Sequence, residues 1–440
     1  MIKIFKNDNI KTLIKMVLPI LMNYAVLTSF EIIDKTLVGN YSTNAFAAVG
    51  IASTVIYSIT GSLGVISVAY NIIAAEYIDR CDENGFNNIF FIVILLSLII
   101  GAVTMFILLI GGRLLFQGIF ALKGAILTLS LEYFHMASIT ILMNLVTFNF
   151  SVYFRNLKNT KISFYSTTTS TLINITFDYL LVYGALDFPK LGVKGVAIGN
   201  VLGLLFGIFI YLIKFYKVNK IKFKLLVNKK IIYKLIKLYI PLLGQDFVEG
   251  TMFTFILTGI VSRLTTYEIA SYNLCVSVIS IMSLPILAFA TSSTTLALQK
   301  SFSFEVKDSR TIINISIIMS LIMVSVIGII IILFPNILLN LITNNKALVK
   351  EVLKIFILVV IAQLFNVFNQ IYKSYLQGIH NEKFVLKLTA LVSFLSISWI
   401  SVLTINFNLV GLYIGLIINN FIFTIVYYLK INKIRYLNKI

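Results

Sequence analysis

The 440-residue chain contains 17 acidic side chains, and a handful of them fall inside long apolar runs, where a charge is most costly. A carboxylate within a membrane-spanning helix costs several kcal/mol unless it faces water, a cation or a proton. Each such acid is therefore a functional candidate. Asp34 lies 15 residues beyond Pro19, about 22 Å along a helix at 1.5 Å per residue, and Glu31 shares its face at i,i+3. Asp178 sits in another apolar run, with Asn174 one turn earlier on the same face. Gln245, Asp246 and Glu249 follow Pro241, and Asp246 and Glu249 are again three apart. Two acids on each of two helices would make an anionic cavity wall suited to an organic cation. The structural alternative is a hydrogen-bonded pair for Asp34 and Asp178, and wet crevices or a Lys35 pairing for Glu31 and Asp246.

Other chemistries find little to build on. Cys81 and Cys275 have no metal-ligand spacing, and His135 and His380 are the only imidazoles. No G-x-x-x-x-G-K-[ST] sequence occurs to hold a nucleotide. No loop is long enough to carry the clustered His, Asp or Arg of a membrane-embedded transferase. An enzyme and a bound cofactor are therefore not expected. Amides at Asn144, Asn149, Gln363, Asn366, Asn369 and Gln370 either line a cavity or bond between helices. The 35 Phe and 22 Tyr could offer stacking and cation–π contacts to flat cations.

The elements that must position these residues are set by composition. The chain is 59% hydrophobic and 12% charged, against about a quarter charged in soluble domains, so its solvent must be lipid. Apolar runs fall at roughly 13–37, 44–76, 88–112, 122–154, 162–187 and 191–216, then 232–262, 268–298, 310–335, 348–376, 384–407 and 409–429. At ~20 residues per span this predicts an all-α integral membrane protein of twelve transmembrane helices. The first run is long and lacks a small-residue cleavage site, which reads as a retained span rather than a signal peptide.

The net charge of +19 does not point to nucleic acid, because Lys and Arg sit between apolar segments. Lys214, Lys217, Lys220, Lys222, Lys224, Lys229, Lys230, Lys234 and Lys237 crowd a linker between two sets of six runs. Placing that linker inside also places both termini inside, with Lys11 and Lys15 near one and Lys430 and Lys433 near the other. That is the positive-inside pattern of a multi-pass protein of the cytoplasmic membrane, where anionic lipid attracts the same charges.

The two sets repeat one another. A shift of 222 positions carries Pro19 onto Pro241, Ala48 onto Ala270 and Tyr153 onto Tyr375. Near the end, Gly195 to Gly199 answers Gly411 to Gly415 with a slightly shorter shift. Residues 1–218 are expected to form an N-terminal lobe of six spans. Residues 219–440 are expected to form a pseudo-symmetric C-terminal lobe, preceded by the basic linker. Parallel repeats of this kind bind substrate near the midplane between the halves.

Order and spacing of short motifs then resemble the MATE (multidrug and toxic compound extrusion) transporters. They are Leu18-Pro19, Asp34, Val38-Gly39, Ala47-Ala48-Val49-Gly50, Asn174-x-x-x-Asp178, and Gly192 through Gly199. The resemblance implies export of organic cations or drugs by antiport with Na⁺ or H⁺, by a chain that suffices as a monomer. It implies a cation- or proton-binding cluster of Asp34, Asn174 and Asp178 with Asn200, and a coupling or substrate role for Glu249 with Asp246 and Gln245. Hard oxygen ligands suit Na⁺ at Asp34, Asn174 and Asp178, whereas two close carboxylates would equally retain a proton. Glu31, Gln363 and Asn366 are candidate cavity residues, and Pro19 and Pro241 candidate hinges. Where some MATE proteins carry an Asp in the tenth span, this chain has Ala362, Gln363 and Asn366. The competing reading is a flippase for lipid-linked oligosaccharides, which would want a basic cavity.

Overall fold

A computed structural model describes residues 8–120, 122–219, 229–261, 264–301, 306–334 and 346–437. Lys220, Lys222 and Lys224 of the basic linker lie outside the described residues. The described chain is helical, with no β-strand among the described residues, as backbone polar groups in lipid require. Among the described residues, eight helices are long and apolar enough to cross a membrane, or nine if the bent pair Gly124–Ala137 and Ile139–Asn156 is one span. Glu382–Leu437 runs for 56 residues and is broken at Asn408, whose φ of 51° and ψ of −134° are non-helical. At 1.5 Å per residue its length is about 84 Å, so the break divides two arms, each long enough to span. The Ser-, Thr- and Asn-rich helix Lys161–Tyr183 is less apolar. The seventh run is divided among Lys229–Asp246, a π-helical turn at Phe247–Met252 and Phe253–Val261. The result is an all-α integral membrane bundle.

Two compact units make up the chain. One is Leu18–Tyr239; the other combines Met1–Val17 with Ile240–Ile440. Both dividing points fall immediately before a buried proline, Pro19 in the helix Asp8–Tyr41 and Pro241 in the helix Lys229–Asp246. They are 222 positions apart, the displacement of the sequence repeat.

Local signals explain the helix ends that matter for the site. Gly184, at φ 71°, adopts the left-handed conformation that closes the helix Lys161–Tyr183. The Leu191 N–H then donates back to the Leu181 carbonyl at 2.7 Å, turning the chain into the helix Val193–Asn219. These two helices pack extensively on each other. Glycines recur every fourth residue along the contact, at 195, 199, 203 and 207. This is the small-residue spacing that lets membrane helices approach closely. A Cβ at Gly203 would lie 2.6 Å from the Ser170 carbonyl oxygen and 2.8 Å from the Asn174 Cβ.

Candidate functional site

Within the unit Leu18–Tyr239 lies a cavity of about 260 Å³. Asn23, Ser53, Tyr133, Asn144, Ser151, Ser166, Asn174, Asn200 and Tyr211 give it hydroxyls and amides, and Leu27, Ile56, Tyr57, Phe148 and Leu204 give it apolar surface. None of its described lining residues is charged. An acid lies one hydrogen bond away: Asn174 Nδ2 donates to Asp178 Oδ1 at 3.0 Å. Asp178 is 1% exposed and Asn174 4%. The i,i+4 spacing seen in the sequence thus becomes a contact, with the amide facing the cavity and the carboxylate behind it.

Asn200, from the partner helix, donates through Nδ2 to the Tyr133 hydroxyl at 3.4 Å, and Ser53 Oγ donates to the same hydroxyl at 3.0 Å. Tyr133 therefore joins three helices at the cavity wall. Sequence reasoning did not find it, because one tyrosine among 22 carries no local signal. Asn144 and Asn149 separate in role. Asn144 lines the cavity, whereas the fully buried Asn149 donates to Ser97 Oγ and the Leu145 carbonyl, both at 2.8 Å, and ties helices together.

Asp34 and Glu31 lie on the helix Asp8–Tyr41, and their side chains are outside the described residues. Their helix is held against that of Asp178. The Tyr183 hydroxyl donates to the Leu37 carbonyl at 2.8 Å, three residues beyond Asp34 and five beyond Asp178.

The second unit is built differently. Glu249, in the π-helical turn, accepts from Lys373 Nζ at 2.7 Å and from Gln245 Nε2 at 3.1 Å. Gln245 Oε1 in turn accepts from Gln377 Nε2 at 2.6 Å. The anionic wall expected from the acids alone took no account of Lys373, whose side chain is 12% exposed and whose ammonium matches the Glu249 charge. The signal was available: Lys373 falls within the apolar run 348–376. Asp246 ends the helix Lys229–Asp246, and Glu249 lies in the π-helical turn that follows it. Gln363 and Asn366 bond to each other at 3.1 Å along the helix Lys346–Gly378, and neither lines the cavity of the first unit. Among the described residues no group of three or more His, Cys, Asp or Glu side chains could hold a metal ion.

A duplicated helical bundle with a polar cavity and a buried carboxylate beside it has the form of a membrane transporter. The MatE family profile matches residues 19–180 and again 241–402, the second match displaced by 222 positions. The chain belongs to the MatE family, the MATE transporters. A probable multidrug resistance protein NorM from Photorhabdus laumondii is 25% identical over 387 residues, covering 86% of this chain and 83% of its own. A NorM of the same description from Halalkalibacterium halodurans is 25% identical and covers 92% and 90%. Among solved structures, a MATE protein in complex with MaL6 superposes with a TM-score of 0.88 at 18% identity over 100% of this chain and 99% of that one. A MOP superfamily transporter from Pyrococcus furiosus gives 0.86 at 19%, over 97% and 96%.

Proposed function

We propose that this MATE transporter exports amphipathic organic cations, drugs among them, across the cytoplasmic membrane by antiport with Na⁺ or H⁺. The observation that carries the reading is the buried Asp178 carboxylate, hydrogen-bonded to Asn174 behind a neutral polar cavity. An ion entering that cavity meets amide and hydroxyl oxygens first and the carboxylate next, a donor set that suits Na⁺. A proton would be held by the same buried acid. With Asp34 completing the cluster, cation binding biases the bundle between two access states, because the ion binds them with different affinity. Pro19 and Pro241 supply the bends. The two lobes, residues 1–218 and 219–440, have both termini on the cytoplasmic side, and one chain suffices for transport. A lipid-linked pyrophosphate finds no Arg or Lys among the described lining residues, which weighs against the flippase reading.

The test is efflux of a fluorescent cationic dye from proteoliposomes under a Na⁺ gradient and, separately, a H⁺ gradient. Gradient-driven efflux lost in Asp34→Asn and Asp178→Asn is the expected result and names the ion. Efflux by both variants equal to that of the unaltered protein would overturn the reading.

A further inference from the structure

The 222-residue displacement aligns the two units position by position, and the aligned residues do opposite things. In the first unit Asn23, Leu27 and Ser151 line the 260 Å³ cavity. Their counterparts in the second are Gln245, Glu249 and Lys373, and these are bonded to one another. Where the first unit is open, the second places its own amide, carboxylate and ammonium. Glu249 Oε1 takes Lys373 and Oε2 takes Gln245, so both oxygens of the acid are engaged by side chains of the chain itself.

We infer that Lys373 is a tethered counter-cation: its ammonium occupies the acidic site of the second unit and bars exchangeable cations from Glu249. Cation turnover is thereby confined to the first unit. Two acidic sites open to solution would each be available to ions and to cationic substrate. With one site closed by an ammonium on the protein, a single site remains, and Lys373 sets that number. The pair also gives Glu249, whose side chain is 30% exposed, a counter-charge carried by the chain itself. The inference rests on the antiport reading for its consequence in transport, but the site itself is testable without transport.

The test uses the purified full-length chain in detergent. Lys373→Ala removes the side chain beyond Cβ, a propylammonium, and leaves a space beside Glu249 that a small alkylammonium fits. Methylammonium chloride, compared with NaCl at equal ionic strength, is expected to raise the unfolding midpoint of Lys373→Ala saturably by about 2 °C or more. The unaltered protein and the double variant Lys373→Ala/Glu249→Gln are expected to show no such rise. Equilibrium dialysis with radiolabelled methylammonium should find one additional bound equivalent in Lys373→Ala, lost again in the double variant. If Lys373→Ala does not fold in NaCl, recovery of monodisperse protein when extraction is carried out in methylammonium is the supporting result. Failure of methylammonium either to bind or to rescue overturns the inference. Loss of antiport by the unaltered protein, with Glu249-dependent methylammonium binding intact, would remove the transport reading and leave the site. Antiport through Asp34 and Asp178 with no new cation site in Lys373→Ala would remove the inference alone.

Discussion

Gly199 packs directly against the carboxylate of Asp178, with Asn174 alongside. A β-carbon at 199 would overlap the carboxylate oxygen that Asn174 holds. In the second repeat the matching pair is Gly415 and Ile400, with an aliphatic side chain in the place of the acid. The two glycines thus serve one packing geometry and two chemistries.

Gly199→Ala is therefore expected to reduce gradient-driven efflux at least about tenfold by turning the Asp178 carboxylate away from Asn174. Gly415→Ala, pressed against the Ile400 side chain, should cost about 1–3 kcal/mol of stability by overpacking and leave ion dependence unchanged. Efflux assays beside thermal unfolding in detergent separate the two effects. Equal loss of transport in both variants would mean that packing, rather than the acid, is what Gly199 protects.

Asn174→Ala removes the amide that Asp178 accepts from. A net hydrogen bond to a charged group is worth about 1.5–3 kcal/mol; without it the carboxylate should hold a proton more tightly, by about tenfold or more, whereas a Na⁺ ligated by the Asn174 oxygen should be held more weakly. Measuring transport against ion concentration would reveal this as a shifted half-saturation with maximal rate largely kept. An unchanged half-saturation would place the coupling ion elsewhere.

Tyr133→Phe keeps the ring and deletes the hydroxyl shared by Asn200 and Ser53. Because both partners border the cavity, water can reach them once they are released, and stability should fall by about 1 kcal/mol. The larger effect is expected on dye affinity, through a less fixed cavity wall. Fluorescence titration of purified protein checks it; an affinity within twofold of the unaltered protein would show that Tyr133 is only a strut.

Much of this arrangement was legible in the sequence, for physical reasons. Lipid demands long apolar helices, so the spans stood out. A proline or a glycine at a helix contact leaves few alternatives, so the repeat could be traced through Pro19 and Pro241 and through Gly195 and Gly411. Asn174 and Asp178 were found because helical periodicity alone brings i and i+4 together. Tyr133 meets Asn200 and Ser53 across three helices, and no spacing along the chain encodes that meeting. A lysine inside the apolar run 348–376 is visible in the sequence, but the pairing of Lys373 with Glu249, 124 positions away, exists only in the folded chain. That the units divide just before Pro19 and Pro241 likewise depends on packing, since a proline marks a bend without saying which neighbours hold each side of it.

Those dividing points make the two prolines a matched pair to test together. Each leaves a carbonyl one turn earlier without its helical donor, which softens the helix there. Pro19→Ala and Pro241→Ala should each stiffen one bend, slow dye efflux several-fold, and leave equilibrium dye binding within about twofold. The double variant should slow transport further than either alone if both bends move in each cycle. Binding lost together with transport would instead mean that the prolines shape the site at rest.

The start of the helix Lys229–Asp246 is fastened to its own unit by Lys234, whose Nζ lies 2.5 Å from Glu76 Oε2, and by the Tyr239 hydroxyl, 3.4 Å from the Leu63 carbonyl. The Glu76 side chain is 7% exposed while that of Lys234 is 44% exposed. The asymmetry decides which substitution hurts. Lys234→Met strands a buried carboxylate without its ammonium, and removing one partner of a buried pair costs up to about 3–5 kcal/mol. The other contacts of Glu76 and the half-open lysine put the expected loss nearer about 1–3 kcal/mol. Glu76→Gln frees an ammonium that water can reach, so it should cost less, under about 1 kcal/mol. Thermal unfolding of the two variants in detergent gives the order directly. Glu76→Gln proving the more damaging would mean that the carboxylate, through its other partners, matters more than the ion pair in anchoring this end of the helix.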